Sequence, residues 1–267
     1  MQPFPVAVDG NMPDQAIASV QLSVIIPAYN EQNRIFTSLV VICAYLGHTR
    51  NSWELIVVDD GSSDKTAKIV SDFARRVPWV RLVRAKHGGK GHAVRIGVEA
   101  SLGAEILITD TDLSTPITEL EHLSRLRGDA VAAIGSRGLP GSAITRRQGR
   151  IREAMGKAGN FLIRRFGVRG IADTQCGFKL FDGPSCRALY SMTKLNGWAF
   201  DVEVLYLCKR FGWPVVEVPV RWAHVNGSKV RPTAYFAVLG ELAYLRLAQR
   251  RATEPVVLAP IPAQRRG

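Results

Sequence analysis

The chain has 267 residues, a formal net charge of +12 and a pI near 10.0. This length allows one α/β domain with a sizeable core, and the charge indicates an anionic partner: a nucleic acid, a membrane surface or a phosphorylated substrate. The four cysteines lack C-x-x-C spacing, which favours reduced, structural thiols over a zinc or disulfide framework. Because no apolar run approaches about eighteen residues and the first twenty residues lack a signal-peptide pattern, we expect a cytoplasmic protein without a membrane span.

Strand and helix patterns alternate from residue 20 to about residue 136, which predicts a mostly parallel sheet flanked by helices. The strands are expected at 22–26, 54–58, 80–84, 105–109 and 130–135. The helices are expected at 31–46, 64–76, 90–101 and 117–126.

The pattern changes after Arg137, because residues 137–169 carry nine basic residues and one acid. In this half we expect a helix at 149–166, a strand at 176–181, helices at 184–191 and 199–211, a strand at 215–222 and a helix at 234–250. We therefore predict one α/β domain over 20–250, with a nucleotide-sugar half (20–136) and an acceptor- and membrane-facing half (137–250). The segments 1–19 and 251–267 are expected to be flexible or disordered.

Acidic residues follow two of the predicted strands. Asp110 and Asp112 come directly after the apolar run 106–108, and Asp59 follows the run 55–58. Carboxylates at i and i+2 of an extended chain point the same way, and the carboxyl ends of strands in open α/β sheets are where ligands bind. The pair therefore suits a divalent cation that also contacts a diphosphate. The alternative is a strand end with acidic turn residues.

A glycine-rich segment, His87 to Gly97, runs into the third predicted helix. It is not a P-loop, because Lys90 is followed by Gly91 where that motif needs Ser or Thr, and it does not supply a dinucleotide fingerprint. A glycine turn entering a helix would place Lys90 beside an anion, with help from the helix N-terminus. The alternative is a plain loop with a solvated lysine.

Taken in order, the motifs resemble those of a known family. Family 2 glycosyltransferases of the GT-A fold have motifs similar to IIPAYNE, VVDDGSSDKT, GGKGHAVRIG, TDTD and GSR. Three further motifs resemble those of the dolichyl-phosphate glucosyltransferase branch: DTQCGFKLF, GWAFDVEVLYL and NGSKV. The resemblance covers roughly residues 20–248. It implies a GT-A fold and a metal-dependent, inverting transfer of a hexose from UDP to polyprenyl or dolichyl phosphate. Glucose is the expected sugar, with N-acetylgalactosamine or another hexose as alternatives.

The resemblance also implies roles for individual residues. Asp112, with Asp110 beside it, is expected to bind Mg²⁺ or Mn²⁺, although Ser114 stands where mannosyl relatives often carry a Gln that can reach the metal. Asp112, Asp173 and Asp201 are the candidate catalytic residues; the alternative for the last two is the capping of a turn and a helix. The expected nucleotide-sugar site consists of Pro27, Ala28, Tyr29, Glu31, Asp59, Lys90, Asp110, Thr111, Arg137 and Lys229.

The acceptor explains the basic half. A polyprenyl phosphate is already anionic, so it needs positioning and charge screening more than a general base. We expect its phosphate and an anionic membrane surface to be contacted by Arg146, Arg147, Arg150, Arg152 and Gln175.

The helices at 149–166 and 234–250 combine apolar patches with arginines, as interfacial amphipathic helices do; the alternative is that both pack on the sheet. The expected location is the cytoplasmic membrane face, held peripherally or by a membrane-protein partner. Two other functions stay open: transfer to a soluble or polysaccharide acceptor, and nucleic-acid binding. The second is disfavoured because basic and aromatic residues do not interleave on the strands.

Overall fold

The structure is a computed structural model that describes residues 7–9, 20–146, 168, 170–225 and 240–241. Its strands are β1 (Ala7–Asp9), β2 (Leu22–Ala28), β3 (Trp53–Asp60), β4 (Val80–Ala85), β5 (Glu105–Ile108), β6 (Ala132–Ser136), β7 (Ala143–Arg146), β8 (Lys179–Asp182), β9 (Val215–Pro219) and β10 (Arg221–Ala223). Its α-helices are α1 (Ile35–Thr49), α2 (Thr66–Ala74), α3 (Lys90–Glu99), α4 (Leu120–Arg127), α5 (Gly183–Met192) and α6 (Phe200–Arg210). A 3₁₀ turn, Ile117–Glu119, leads into α4.

Eight of these strands form one mixed sheet in the order β1-β4-β3-β2-β5-β8-β6-β9. The pairs β4-β3, β3-β2, β2-β5 and β6-β9 are parallel, while β8 runs antiparallel to both β5 and β6, and β1 is antiparallel to β4. The strands β7 and β10 form a separate parallel pair. The expectation of a mostly parallel α/β sheet flanked by helices is confirmed.

Both faces of the sheet are covered, so its central strands are almost entirely buried. All eight residues of β3 are buried, as expected for parallel strands between two helical layers. Alternate residues of β2 enter different cores: Val24 and Ile26 pack on the side of α1, and Ile25 packs on the side of α3 and α6. This period of two is the pleat of the strand.

Local sequence explains where several elements begin. Helix α5 starts with Asp182 as N-cap, whose carboxylate accepts a hydrogen bond from Ser185 N at 3.0 Å, and proline occupies the first turn; both are strong helix-start signals. Helix α1 starts at Ile35, later than the predicted residue 31. Residues 32–34 form a turn instead, and Arg34, the residue before the helix, has a non-helical φ of −133°.

The sequence-based boundaries are correct to within a few residues for most elements. Three elements differ from the prediction. Residues 7–9 form an edge strand on β4, although the N-terminal segment was expected to be flexible. The predicted strand 215–222 is split into β9 and β10, which belong to different sheets. The short strand β7 pairs with β10 and has too few residues to give a sequence signal.

The predicted helices 149–166 and 234–250 lie outside the described residues, except for 240–241, which are helical. The tail 251–267 lies outside them as well. None of the helices in the described ranges has both the length and the hydropathy of a membrane-crossing helix.

Candidate active site

The site lies along one edge of the sheet, where β2, β3 and β5 end. The register pairs Ala28, the last residue of β2, with Asp59 on β3. Because the three strands are parallel, the loops that follow them meet at the same edge. The residues predicted from the sequence motifs are therefore brought together from distant parts of the chain.

Asn30 fixes the loop after β2 against the loop after β3. Its side-chain oxygen accepts hydrogen bonds from Ser63 N at 2.8 Å and Asp64 N at 3.3 Å, and its own N–H donates to Ser62 Oγ at 2.8 Å. Beside it, Glu31 N donates to Thr66 Oγ1 at 2.7 Å. These bonds hold the flanking side chains in place before any ligand arrives. The sequence analysis missed Asn30, although Asn tolerates the left-handed conformation better than most residues.

The pocket expected to hold the nucleoside combines an aromatic surface with a buried carboxylate. Asp59 is only 5% exposed, and its Oδ1 has no hydrogen-bond partner among the described residues. Tyr29 is 38% exposed, and its ring stacks on His87 with centroids 4.3 Å apart. A carboxylate is an acceptor only, so Asp59 Oδ1 is suited to an N–H or O–H of a ligand. Glu31 lies nearby and pairs with Arg34 at 2.7 Å.

Asp60, which the sequence analysis did not assign, organises the glycine-rich loop. Its carboxylate accepts hydrogen bonds from Gly88 N at 2.8 Å and Gly89 N at 3.0 Å, and contacts His87 Nδ1 at 2.8 Å. Gly89 has φ of +102°, a conformation that favours glycine. The adjacent aspartates therefore differ in role: one shapes a loop and the other has an oxygen available.

The carboxylates Asp110 and Asp112 lie beyond the end of β5, on a loop held from the inside by Thr111. Thr111 Oγ1 donates to Pro27 O at 3.1 Å, and Thr111 O accepts from Ser38 Oγ at 2.5 Å. Thr111 is buried, whereas the two aspartates on either side of it are partly exposed. Asp112 Oδ1 accepts a hydrogen bond from Ser114 N at 2.9 Å. Thr111 thus supports the loop from within.

Lys90 contacts the first of these carboxylates. Its Nζ lies 2.6 Å from Asp110 Oδ1 and faces the rings of Trp198 and Phe200, 5.6 and 5.9 Å from their centroids. Burial alone would raise the pKa of Asp110, but Lys90, with smaller contributions from Lys179 and Arg137, lowers it overall. In turn Asp110, followed by Asp201, raises the pKa of Lys90 against the opposing effect of burial. Both groups are therefore charged at neutral pH.

Arg137 and Asp173 form a two-pronged ion pair. Arg137 Nε and its backbone N–H donate to Asp173 Oδ2 at 2.7 and 3.0 Å, and a terminal guanidinium nitrogen donates to Oδ1 at 2.9 Å. Gln175 N also donates to Oδ1 at 3.2 Å. Burial would raise the pKa of Asp173, yet Arg137 lowers it overall. This carboxylate is a weak base, and its contacts fit the anchoring of Arg137 better than the expected catalytic role.

Asp201 lies in the first turn of α6, and a buried lysine binds it from the sheet. Lys179 Nζ, in β8, donates to Asp201 Oδ1 at 2.6 Å and to Cys176 O at 2.5 Å. Burial raises the pKa of Asp201 above its usual value, and Lys179 opposes that rise. Asp201 does not cap α6 through a side-chain hydrogen bond, since Ala199 is the N-cap. Of Asp173 and Asp201, Asp201 is the carboxylate whose pKa is raised, which favours the acceptance of a proton.

The remaining predicted residues are placed as follows. Gln175 lies beside Asp173, with its Nε2 buried and without a hydrogen-bond partner among the described residues. Arg146 ends β7. Trp222 in β10 stacks on the Arg137 guanidinium at 5.4 Å, and Ala223 N donates to Ser114 O at 2.8 Å. The residues predicted to contact the acceptor or donor that lie outside the described ranges are Arg147, Arg150, Arg152 and Lys229.

The carboxylate ligands at this edge of the sheet fit a divalent metal that is shared with a substrate. Within the described residues, no group of three or more His, Cys, Asp or Glu side chains could hold a metal by itself. Mg²⁺ is often held by one or two carboxylates together with substrate phosphates and water. Asp112 and Asp110 provide such a pair, on oxygen ligands that both Mg²⁺ and Mn²⁺ accept.

Comparison with known proteins agrees with this geometry. The family model described as Glycosyl transferase family 2 matches residues 23–191. A dolichyl-phosphate beta-glucosyltransferase from Dictyostelium discoideum is 35% identical over 86% of this chain and 73% of its own. A protein of the same name from Drosophila melanogaster is 38% identical over 80% of this chain and 70% of its own.

Solved structures show the same fold. Glucosyl-3-phosphoglycerate synthase from Mycobacterium tuberculosis, in complex with Mn²⁺, UDP-glucose and phosphoglyceric acid, is similar with a TM-score of 0.60 and 21% identity. The similarity covers 88% of this chain and 81% of that one. At this identity the likeness concerns the GT-A architecture.

Proposed function

The chain belongs to glycosyl transferase family 2, and we propose that it transfers glucose from UDP-glucose to a polyprenyl phosphate of the dolichyl type. The observation that carries this proposal is the identity of 35–38% to dolichyl-phosphate beta-glucosyltransferases over more than two thirds of both chains. The product would be a β-linked polyprenyl-phosphate glucose together with UDP.

The geometry supports the donor half of this proposal. The orphan Oδ1 of Asp59 can accept the imide N–H of uracil, and the exposed ring of Tyr29 can pack against the nucleoside. Glu31, which pairs with Arg34, is proposed to accept a hydrogen bond from a ribose hydroxyl. Lys90, the first residue of α3, would supply positive charge for the diphosphate. The first N–H groups of the helix would not, because Gly91 N and His92 N donate to Asn196 O at 2.8 and 3.4 Å. The four residues proposed here to bind the donor are ones that the sequence predicted, and they lie at or after the ends of strands along the same edge of the sheet.

The proposed transfer requires neutralisation of negative charge more than removal of a proton. A phosphate acceptor is already anionic, so its oxygen can attack the anomeric carbon without a strong general base. A divalent metal held by Asp112 and the donor diphosphate would supply charge stabilisation for the departing UDP. Arg137, held by Asp173, and Lys90 provide fixed positive charge in the same region. Asp201 is proposed to orient the acceptor, since its position is set by Lys179.

The acceptor implies a membrane surface. Polyprenyl phosphates keep their chains in a bilayer, and a net charge of +12 suits an anionic cytoplasmic leaflet. The arginines predicted to make this contact, from Arg147 to Arg152, lie outside the described residues, so the contact surface is still a prediction.

The proposal is tested by offering the purified protein a panel of nucleotide sugars with polyprenyl phosphate in liposomes. We expect glucose transfer from UDP-glucose, and much slower transfer from UDP-N-acetylgalactosamine and GDP-mannose. A second arm replaces the lipid by 3-phosphoglycerate as a soluble phosphorylated acceptor. Transfer to the soluble acceptor alone would overturn the lipid assignment, and preference for another hexose would overturn the choice of glucose.

A further inference from the structure

Lys90 neutralises a carboxylate that was expected to serve the metal. Its ammonium lies 2.6 Å from Asp110 Oδ1. The lysine side chain is 19% exposed, and two aromatic rings, Trp198 and Phe200, limit where it can move. The Asp110 side chain is 39% exposed, so solvent reaches one side of this pair, while the short contact and the two rings hold the ammonium against Oδ1. A cation that approaches Asp110 therefore competes with a charge already in place.

The opposite side of Asp110 is also restricted. A Cβ placed on Gly177 would lie 2.0 Å from Asp110 Oδ2, so this carboxylate touches the backbone of the segment before β8. One oxygen faces Lys90 and the other faces Gly177. Asp110 has little room to turn away from the lysine toward a metal unless Lys90 moves first.

Charge counting indicates what would move Lys90. The charged groups around Lys90 and Asp110 are three cations and four carboxylates, a net charge of −1; they are Lys90, Arg137 and Lys179, and Asp110, Asp112, Asp173 and Asp201. UDP alone adds a diphosphate to a site that is already negative. Without UDP, a divalent cation can use Asp110 as a ligand beside Asp112 only if it displaces Lys90 from Oδ1. When both arrive, the diphosphate can attract Lys90, and the metal can take the vacated side of Asp110.

We propose that Lys90 is a resident counter-ion of Asp110 which makes metal binding depend on the nucleotide. In the free protein Lys90 occupies Asp110 and keeps metal affinity low. With UDP present, Lys90 contacts the diphosphate, and both carboxylates become available to the metal. The inference rests on the proposed nucleotide-sugar function, and it assigns Lys90 a positioning role between the two ligands.

The test measures Mn²⁺ affinity by electron paramagnetic resonance, with and without saturating UDP. For the wild type we expect Mn²⁺ to bind about tenfold or more tightly when UDP is present, within the usual range of coupling between sites. In Lys90→Gln, Mn²⁺ alone should bind more tightly than to the wild type, and the effect of UDP should be smaller than in the wild type. The part of the effect that remains comes from direct contact between the diphosphate and Mn²⁺. Lys90→Arg should keep the coupling, because it keeps the cation.

Lys86→Gln is the matched control. It removes the same charge from an exposed residue in the loop before α3 and should behave like the wild type. Thermal melting of every variant checks that it is folded, and the wild-type ratio is informative without any variant.

Equal Mn²⁺ affinity with and without UDP in the wild type would overturn the inference. Unchanged coupling in a folded Lys90→Gln variant would do the same. Either result, combined with normal glucose transfer to polyprenyl phosphate, would leave the proposed function standing. Conversely, strong coupling between UDP and Mn²⁺ binding that depends on Lys90, without transfer from any hexose donor, would support the counter-ion role of Lys90. It would overturn the proposed transferase function.

Discussion

Replacing Asp59 with Ala should weaken the binding of UDP, whereas the free protein should keep its stability or become slightly more stable. The carboxylate is 5% exposed and its Oδ1 has no hydrogen-bond partner in the described structure. A hydrogen bond to a charged group contributes about 1.5–3 kcal/mol. Since 1.4 kcal/mol corresponds to a tenfold change in Kd, UDP should bind about 10- to 100-fold more weakly to Asp59→Ala.

The stability of the free protein should not fall in the same way. A buried polar atom without a partner costs about 1–3 kcal/mol, and Asp59→Ala removes it. The melting temperature without UDP should therefore stay the same or rise by a few degrees, at about 2–4 °C per kcal/mol for a chain of this size.

Asp60→Ala is the contrasting variant. Asp60 accepts hydrogen bonds from Gly88 N and Gly89 N, so its loss leaves the glycine-rich loop without its anchor. This variant should both melt several degrees lower and bind UDP more weakly. Isothermal titration calorimetry with UDP and differential scanning calorimetry of the free proteins measure the two quantities.

The reasoning is refuted if Asp59→Ala binds UDP within twofold of the wild type. It is also refuted if Asp59→Ala destabilises the free protein as much as Asp60→Ala does. In the first case the orphan oxygen does not face the nucleotide; in the second it has a structural partner.

Three further predictions concern the charged part of the site. Gly177→Ala places a Cβ 2.0 Å from Asp110 Oδ2, so overpacking should cost about 1–3 kcal/mol; calorimetry should show a lower melting temperature and weaker binding of UDP with Mn²⁺, whereas unchanged values of both would contradict the crowding. Asp173→Asn should melt below the wild type at neutral pH. Because Arg137 lowers the pKa of Asp173 below its usual 3.8, the stability of this pair is present above about pH 4 and is lost as pH falls through the lowered value; thermal melts in acid should thus show a smaller loss in the variant than in the wild type. Asp112→Asn should slow glucose transfer at least about 100-fold without lowering the melting temperature, and EDTA should slow the wild type likewise; full transfer by either sample would refute metal dependence.

The buried strands could be predicted from the residues alone. Runs such as Leu22–Ile26 and Leu55–Val58 lack charge and are rich in β-branched residues, as parallel strands buried on both faces are. Their carboxyl ends then predicted the edge where Tyr29, Asp59 and Asp110 are found. These inferences needed only local pattern and one topological rule.

The partners of the charged residues could not be predicted in this way. Arg137 and Asp173 are 36 positions apart, and they meet because the chain returns to insert β8 beside β6. Lys90 meets Asp110 because α3 begins at the same edge at which β5 ends. Such contacts depend on strand order and on the direction of β8, and the motif DTQCGFKLF does not encode either.

Asp60 was missed for a related reason. It differs from Asp59 only in the face of the strand from which it projects, so the sequence shows two equivalent acids. The structure separates them through the glycine-rich loop, which binds one and leaves an oxygen of the other available.

The position of β8 has a consequence for synthesis of the chain on the ribosome. Both neighbours of β6 in the main sheet, β8 and β9, are translated after it, and β5 likewise gains its second neighbour only when β8 emerges. A nascent chain that ends near residue 140 thus exposes one edge of β5 and lacks any sheet partner for β6. Such edges invite pairing with other chains. The segment 20–136 is therefore expected to complete its fold only after about eighty further residues, through the end of β9 at Pro219, have left the exit tunnel, which makes residues 20–219 one cotranslational folding unit.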